Sequence, residues 1–190
     1  MRLGLRRWLR GAQILFLVMF AVVAKTHADG AEQRAMTLWD QPMPVPSFRF
    51  TDDVGRSLSL EDFQGKIVLL NLWATWCAPC RKEMPTLDRL SHELGGPEFQ
   101  IVPLSIDRAG VEAVRRFYDK SGISGLGLYV DTPGAAIRAL KLDGLPTTLL
   151  IDRNGQELGR ITGPAEWDSA EMVGLIKSFI ASPSNRSQKG

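Results

Sequence analysis

Trp76-Cys77-Ala78-Pro79-Cys80 contains the only two cysteines of the chain, separated by two residues. Residues 67–74, directly before it, form a nearly unbroken apolar run, which has the length and branching of a strand buried on both faces. After it, leucines at 87, 90 and 94 follow a helical spacing. The sequence therefore predicts that both thiols lie where a strand meets a helix, with Cys77 near the N-cap and Cys80 in the first turn.

A thiolate is well stabilised at such a junction. The free N–H groups and the positive end of the helix dipole favour the anion, and Pro79 fits the first helical turn, where its missing donor costs nothing. A Cys-x-x-Cys pair in this position is typical of a redox dithiol. We expect Cys77, the more exposed thiol, to attack a disulfide and Cys80 to resolve the mixed disulfide.

Other uses of the cysteine pair fit the sequence less well. A structural zinc site needs four ligands, and the chain has only His27 and His92 besides the cysteines. Covalent haem attachment needs a histidine directly after the second cysteine, where this chain has Arg81. A purely structural disulfide that closes so small a loop would constrain the unfolded chain little.

The N-terminus, residues 1–28, has the form of an export signal. Four arginines precede an apolar run at residues 14–24. The run is short for a membrane span, so we expect cleavage after Ala28, with an uncleaved anchor as the alternative. All 21 acidic residues lie beyond this segment and outnumber the basic residues there. The folded part thus lacks the basic patch that nucleic-acid binding requires.

The remaining chain is predicted to form a linker at 29–46, one domain at 47–181 and a flexible tail at 182–190. Strand-like and helix-like segments alternate through the domain, and Arg153-Asn154-Gly155 marks a hairpin near its end. This order predicts an α/β fold with a mixed central sheet flanked by helices. In such a sheet, active residues lie at the carboxyl end of a central strand. Cys77 is predicted at this position.

Three motifs resemble the thioredoxin fold and, more closely, the membrane-tethered TlpA family, over roughly residues 42–181. They are Asn71-Leu72-Trp73-Ala74-Thr75-Trp76-Cys77-Ala78-Pro79-Cys80-Arg81-Lys82-Glu83-Met84-Pro85, Gly144-Leu145-Pro146-Thr147-Thr148 and Gly163-Pro164-Ala165-Glu166-Trp167. The strand and helix predicted at 126–141 resemble the insertion that this family carries relative to thioredoxin.

The resemblance implies a protein-disulfide reductase of the cell envelope that acts in cytochrome c maturation or in assembly of the cytochrome-oxidase copper site. It implies a periplasmic location, either soluble or tethered to the inner membrane by the N-terminal segment. Expected partners are disulfide-bearing client proteins and a membrane thiol reductant of the DsbD/CcdA type. We expect a monomer with no cofactor apart from the redox-active disulfide Cys77–Cys80.

The resemblance also implies a surface for client proteins. Pro146 resembles the family's cis-proline beside the dithiol, and a cis bond there would turn the Leu145 backbone outward to pair with an extended client chain. Trp76 is expected to flank the exposed sulfur, with Ala78 and Pro79 contributing to the same contact surface. Trp73 is expected in the core.

Glu83 is the candidate that handles the proton of the resolving thiol. Thioredoxin itself has a buried aspartate and a lysine where this chain has Asn71 and Pro103. Glu83 lies three residues after Cys80, on the same helical face, and a neighbouring carboxylate both raises a thiol pKa and can relay its proton. Water and Glu166 are the alternatives.

Two other functions compete with disulfide reduction. A peroxidase of the peroxiredoxin class needs a threonine three residues before its reactive cysteine, where this chain has Ala74. A non-enzymatic copper chaperone would use a Cys-x3-Cys pair with a distant histidine, and no histidine follows His92.

Overall fold

The computed structural model describes residues 35–182, which contain one mixed sheet of eight strands in the order β1-β8-β7-β4-β5-β6-β2-β3. The strands are β1 Thr37–Pro44, β2 Phe50–Asp52, β3 Ser57–Leu58, β4 Ile67–Trp73, β5 Phe99–Ser105, β6 Tyr129–Val130, β7 Thr147–Ile151 and β8 Gln156–Thr162. The helices are α1 Ala78–Leu94, α2 Val111–Ser121, α3 Ala135–Leu140 and α4 Ala170–Ala181, and a 3-10 turn spans Leu60–Phe63.

Strand β4 lies at the centre of the sheet and is buried along its whole length. It runs parallel to β5 and antiparallel to β7. Its odd-numbered apolar residues pack in the core beneath α1, α2 and α4, and its even-numbered ones pack in the core that holds α3. Both faces of the sheet are therefore covered, as the unbroken apolar run of β4 predicts.

The predicted α/β architecture is confirmed, including the inserted strand β6 and helix α3. The predicted hairpin is also present, because β7 and β8 pair antiparallel around residues 153–155. Trp73 is fully buried, as expected, and its ring stacks against Tyr118.

The predicted linker at 29–46 is wrong over Thr37–Pro44, which forms the edge strand β1 and pairs with β8. The indole Nε1 of Trp39 donates to the buried carboxylate of Glu157 at 3.0 Å, and the Arg160 guanidinium lies over the Trp39 ring. The prolines in this segment suggested an extended tether, but an edge strand tolerates proline because one of its sides needs no partner.

The remaining domain predictions lie outside the described residues. They are the signal or anchor at 1–28, the first part of the linker, and all but the first residue of the tail. Among residues 35–182, no helix combines the length and the apolar character that a membrane span needs.

Candidate active site

Cys77 and Cys80 form a disulfide at the start of α1, just beyond the carboxyl end of β4. Cys77 is the N-cap of the helix, and its Sγ accepts a hydrogen bond from the Cys80 amide at 3.3 Å. Cys77 is 6% exposed, whereas Cys80 is completely buried. Cys77 is thus the only one of the two cysteines with any solvent exposure, and its role as the attacking thiol stays a prediction.

The loop between β4 and the disulfide is held by Asp107, a residue that the sequence analysis missed. Its carboxylate accepts hydrogen bonds from the backbone amide of Thr75 at 2.8 Å and from the Thr75 hydroxyl at 2.8 Å. The Ser105 hydroxyl donates to the same carboxylate at 2.7 Å. Because β5 runs parallel to β4, the residues that follow each strand meet at one edge of the sheet, and this position could have indicated Asp107.

A shallow groove of about 510 Å³ opens beside the Cys77 sulfur. Three residues predicted to contact clients line it: Trp76, Pro79 and Leu145. Trp76 is 66% exposed, so a large aromatic ring next to Cys77 is open to solvent. The groove wall also contains residues that were not predicted from the sequence, namely Ile106, Ile137, Leu142, Asp143 and Gly144.

The remaining two residues of the predicted contact surface do not line this groove. Ala78 is exposed at the start of α1, whereas Pro146 is buried behind the groove. The bond between Leu145 and Pro146 is cis, as the resemblance implied. The Pro146 carbonyl accepts a hydrogen bond from the Gly163 amide at 2.8 Å. Pairing of the Leu145 backbone with a client stays a prediction.

Glu83 is buried in α1, one helical turn after Cys80, and is not the solvated carboxylate of an ordinary helix surface. Its Oε1 accepts from Asn71 Nδ2 at 2.8 Å. Its Oε2 accepts from the Ala165 amide and from the Trp167 indole, each at 3.1 Å. Burial raises the pKa of Glu83 to about 7, and these hydrogen bonds oppose the rise. Glu83 can therefore both gain and lose a proton near neutral pH.

The segment 163–167 does fold back toward Glu83, but Glu166 itself is exposed. Its neighbours Ala165 and Trp167 make the contacts instead. This places Glu83, rather than Glu166, within the buried network. His92 lies near the end of α1, half-exposed and 3.2 Å from the Ser124 hydroxyl, far along the helix from the cysteines. The described residues contain no cluster of three or more side chains suited to hold a metal ion.

Comparisons with known proteins agree with this geometry. Residues 43–156 match the model of the AhpC/TSA family. The chain is 31% identical over 168 residues to the thiol-disulfide oxidoreductase ResA of Bacillus anthracis, an alignment that covers 87% of this chain and 93% of the relative. It is 36% identical over 152 residues to ResA of Bacillus thuringiensis subsp. konkukian (strain 97-27), with 79% and 85% covered.

Among solved structures, the fold resembles that of a putative thiol:disulfide interchange protein DsbE from Chlorobium tepidum. The TM-score is 0.64 with 27% identity, and the match covers 76% of this chain and 99% of that chain. The thioredoxin-like fold predicted from the sequence is thereby confirmed.

Proposed function

The chain belongs to the AhpC/TSA family and is a thiol-disulfide oxidoreductase, and from this premise we propose that it works as a reductant of protein disulfides. The observation that carries the proposal is the position of the Cys77 sulfur. Cys77 is the N-cap of a helix and lines an apolar groove, whereas Cys80 is fully buried in the first turn of that helix.

The first step begins from the reduced protein. The Cys77 thiolate attacks one sulfur of a client disulfide, forms a mixed disulfide with it and releases the other client sulfur as a thiolate. The helix N-terminus stabilises the attacking anion. The loop before Cys77 is fixed by Asp107, so the sulfur is held at the groove while the client docks.

The second step releases the client. Cys80 loses its proton, and its thiolate attacks the Cys77 sulfur, which forms the Cys77–Cys80 disulfide and frees the second client thiolate. Two electrons have then passed from the dithiol to the client. Because the helical spacing puts Glu83 one turn after Cys80 and its pKa is raised to about 7, we assign Glu83 as the acceptor of the Cys80 proton.

The cellular setting is part of the same proposal. We infer that the protein acts in the cell envelope, as a periplasmic domain that is either soluble or tethered through its N-terminal segment. Its clients would be proteins of cytochrome c or copper-site maturation, and a membrane thiol reductant of the DsbD/CcdA type would regenerate the dithiol. Similarity to ResA and to a putative DsbE supports this setting, as does the TlpA-like arrangement of the three motifs.

Reduction of insulin by the purified protein tests the function. With a small thiol as the electron source, the wild type should accelerate insulin reduction, and a variant with both cysteines changed to serine should match the uncatalysed rate. A Cu(I) titration of the reduced protein provides the comparison with a copper chaperone. Tight Cu(I) binding together with uncatalysed insulin reduction would replace our proposal with that alternative.

The groove should matter for protein clients more than for small disulfides. Trp76→Ala removes the most exposed apolar ring beside Cys77, so kcat/KM for insulin should fall about tenfold, as expected for loss of an aromatic contact. The rate with a small disulfide that does not fill the groove should stay near that of the wild type. Val54→Ala is a matched control, because Val54 is an exposed apolar residue in the β2–β3 turn. Equal losses with both substrates would show that Trp76 affects the dithiol and does not bind the client.

The pKa values of the two cysteine thiols test the proposed role of Glu83. Glu83→Gln keeps the shape and removes the negative charge, so the cysteine pKa values should fall and thiol–disulfide exchange should lose part of its pH dependence. An ultraviolet titration of the thiolates in the wild type, Glu83→Gln and Glu166→Gln measures this. Glu166→Gln should overlay the wild type, since Glu166 is exposed. If the titration curve of Glu83→Gln overlays that of the wild type, Glu83 does not act as the proton relay.

A further inference from the structure

The two oxygens of the Glu83 carboxylate face different kinds of partner. Oε2 accepts from the Ala165 amide and from the Trp167 indole, and both of these groups are donors only. Neither can receive a hydrogen bond from a protonated Oε2. Oε1 instead faces the side-chain amide of Asn71 at 2.8 Å, and an amide carries a donor and an acceptor at its two ends. A proton taken up by Glu83 therefore belongs on Oε1.

Asn71 is fully buried in β4, and its Nδ2 has two acceptors. One is Glu83 Oε1, and the other is the Thr148 hydroxyl on the neighbouring strand β7, each at 2.8 Å. The Asn71 Oδ1 atom is buried without a hydrogen-bond partner among residues 35–182. This orientation suits an ionised Glu83. With a proton on Oε1, a donor would face a donor, and one of the two groups would have to turn.

We propose that the Asn71 side-chain amide turns over when Glu83 gains its proton, so that Oδ1 takes the place of Nδ2. Oδ1 then accepts a hydrogen bond from Glu83 Oε1 and a second from the Thr148 hydroxyl, which can donate as well as accept. The amide donates two hydrogen bonds in one state and accepts two in the other. Asn71 and Thr148 are thus positioning residues. They let Glu83 change its protonation state while the hydrogen bonds from Glu83 to Asn71 and from Asn71 to Thr148 are both kept.

The surroundings of Glu83 favour such an exchange. Besides Asn71 from β4, the groups that face its carboxylate are the Ala165 amide and the Trp167 indole from the segment after β8, and Cys80 lies one turn earlier on α1. Among the described residues, no charged side chain contributes to the raised pKa of Glu83, whose cause is burial. Protonation of Glu83 is therefore accommodated mainly by rearrangement of the hydrogen bonds that link Glu83, Asn71 and Thr148.

The catalytic consequence rests on the proposed role of Glu83, but the turn of the amide can be measured separately. In the disulfide form the cysteines do not titrate. In the oxidised full-length protein, the titration of Glu83 can therefore be followed without overlap from the cysteines. The probe is the pair of Asn71 Nδ2 hydrogens, followed by proton–nitrogen NMR through the titration of Glu83. Both hydrogens should lose their hydrogen-bonded shifts together on acidification, because after the turn neither faces an acceptor. A shift of only the hydrogen that faces Glu83 would overturn the proposal.

Glu83→Gln should lock the turned state. The glutamine oxygen would face the two fixed N–H donors in place of Oε2, and its amide nitrogen would take the place of Oε1 and donate to Asn71. The Asn71 resonances of this variant should match those of the acidified wild type at every pH. A match to the wild type at high pH would contradict the proposal.

A pair of neighbouring threonines on β7 supplies a further test. Thr148→Val removes the outer partner of the chain, so only the Asn71 hydrogen that faces Glu83 should still titrate. Thr147 is equally buried, but its hydroxyl donates to the Gly144 carbonyl, so Thr147→Val should leave both hydrogens titrating. If both Asn71 hydrogens titrate while Glu83→Gln leaves the thiol titration unchanged, the amide turn stands and the proposed proton relay fails. If only one Asn71 hydrogen titrates while Glu83→Gln changes the thiol titration, the proton relay stands and the amide turn fails.

Discussion

Cys80→Ser should trap the protein on its clients, whereas Cys77→Ser should trap none. In Cys80→Ser the outer sulfur can still attack a client disulfide, but the buried thiol that would release the client is gone, so mixed disulfides accumulate and turnover is lost. In Cys77→Ser the remaining thiol is fully buried and cannot reach a client. Non-reducing electrophoresis of each variant after incubation with a disulfide-bearing protein shows the adducts.

The double variant with both cysteines changed to serine is the control for non-specific adducts. Accumulation of adducts by Cys77→Ser in place of Cys80→Ser would reverse the roles of the two thiols. It would also mean that the difference in exposure between the sulfurs does not determine which of them attacks.

Glu83 should make the oxidised protein less stable as the pH rises. Its pKa is raised by burial from 4.5 to about 7, so the folded state binds the proton more tightly than the unfolded state does. The stabilisation from proton binding is complete below the unfolded pKa and is lost as the pH rises through the folded pKa. At about 1.4 kcal/mol for each pKa unit, the ionised carboxylate costs about 3 kcal/mol of folding free energy above neutral pH.

Urea unfolding of the disulfide forms of the wild type and Glu83→Gln measures this cost. The free energy of unfolding of Glu83→Gln, relative to the wild type, should increase by about 3 kcal/mol between pH values below 4.5 and above 7. Comparison across pH cancels any constant effect of the substitution. Glu166→Gln, at an exposed position, should show no such increase. A pH-independent difference for Glu83→Gln would mean that Glu83 has an ordinary pKa.

Local sequence patterns were sufficient to predict the elements that carry the dithiol. The apolar run of β4 and the leucine spacing of α1 are properties of short segments, and the N-cap position of Cys77 follows from where one pattern ends and the other begins. The spacing of Glu83 from Cys80 likewise placed both residues on one helical face. Burial of Glu83 was not predictable, because the Trp167 indole that covers it comes from a distant segment.

The residues that the sequence analysis missed depend on contacts between segments far apart in the chain. Strand β1 is held by β8, more than a hundred residues later, and its prolines obscured any strand pattern. Ile137 and Leu142 reach the groove only because the insertion containing α3 packs beside the disulfide loop. Pairing of Asn71 with Thr148 needs the register of β4 against β7, which no local pattern reveals.

The reduction potential of the Cys77–Cys80 couple tests the central claim most directly. Equilibration of the protein with defined ratios of reduced and oxidised thiol buffers, followed by quantification of free thiols, gives this value. A reductant of envelope proteins should have a potential close to that of thioredoxin, about −270 mV. A potential near about −120 mV, as in strong periplasmic oxidants, would contradict the account, because electrons would then flow from clients to this protein.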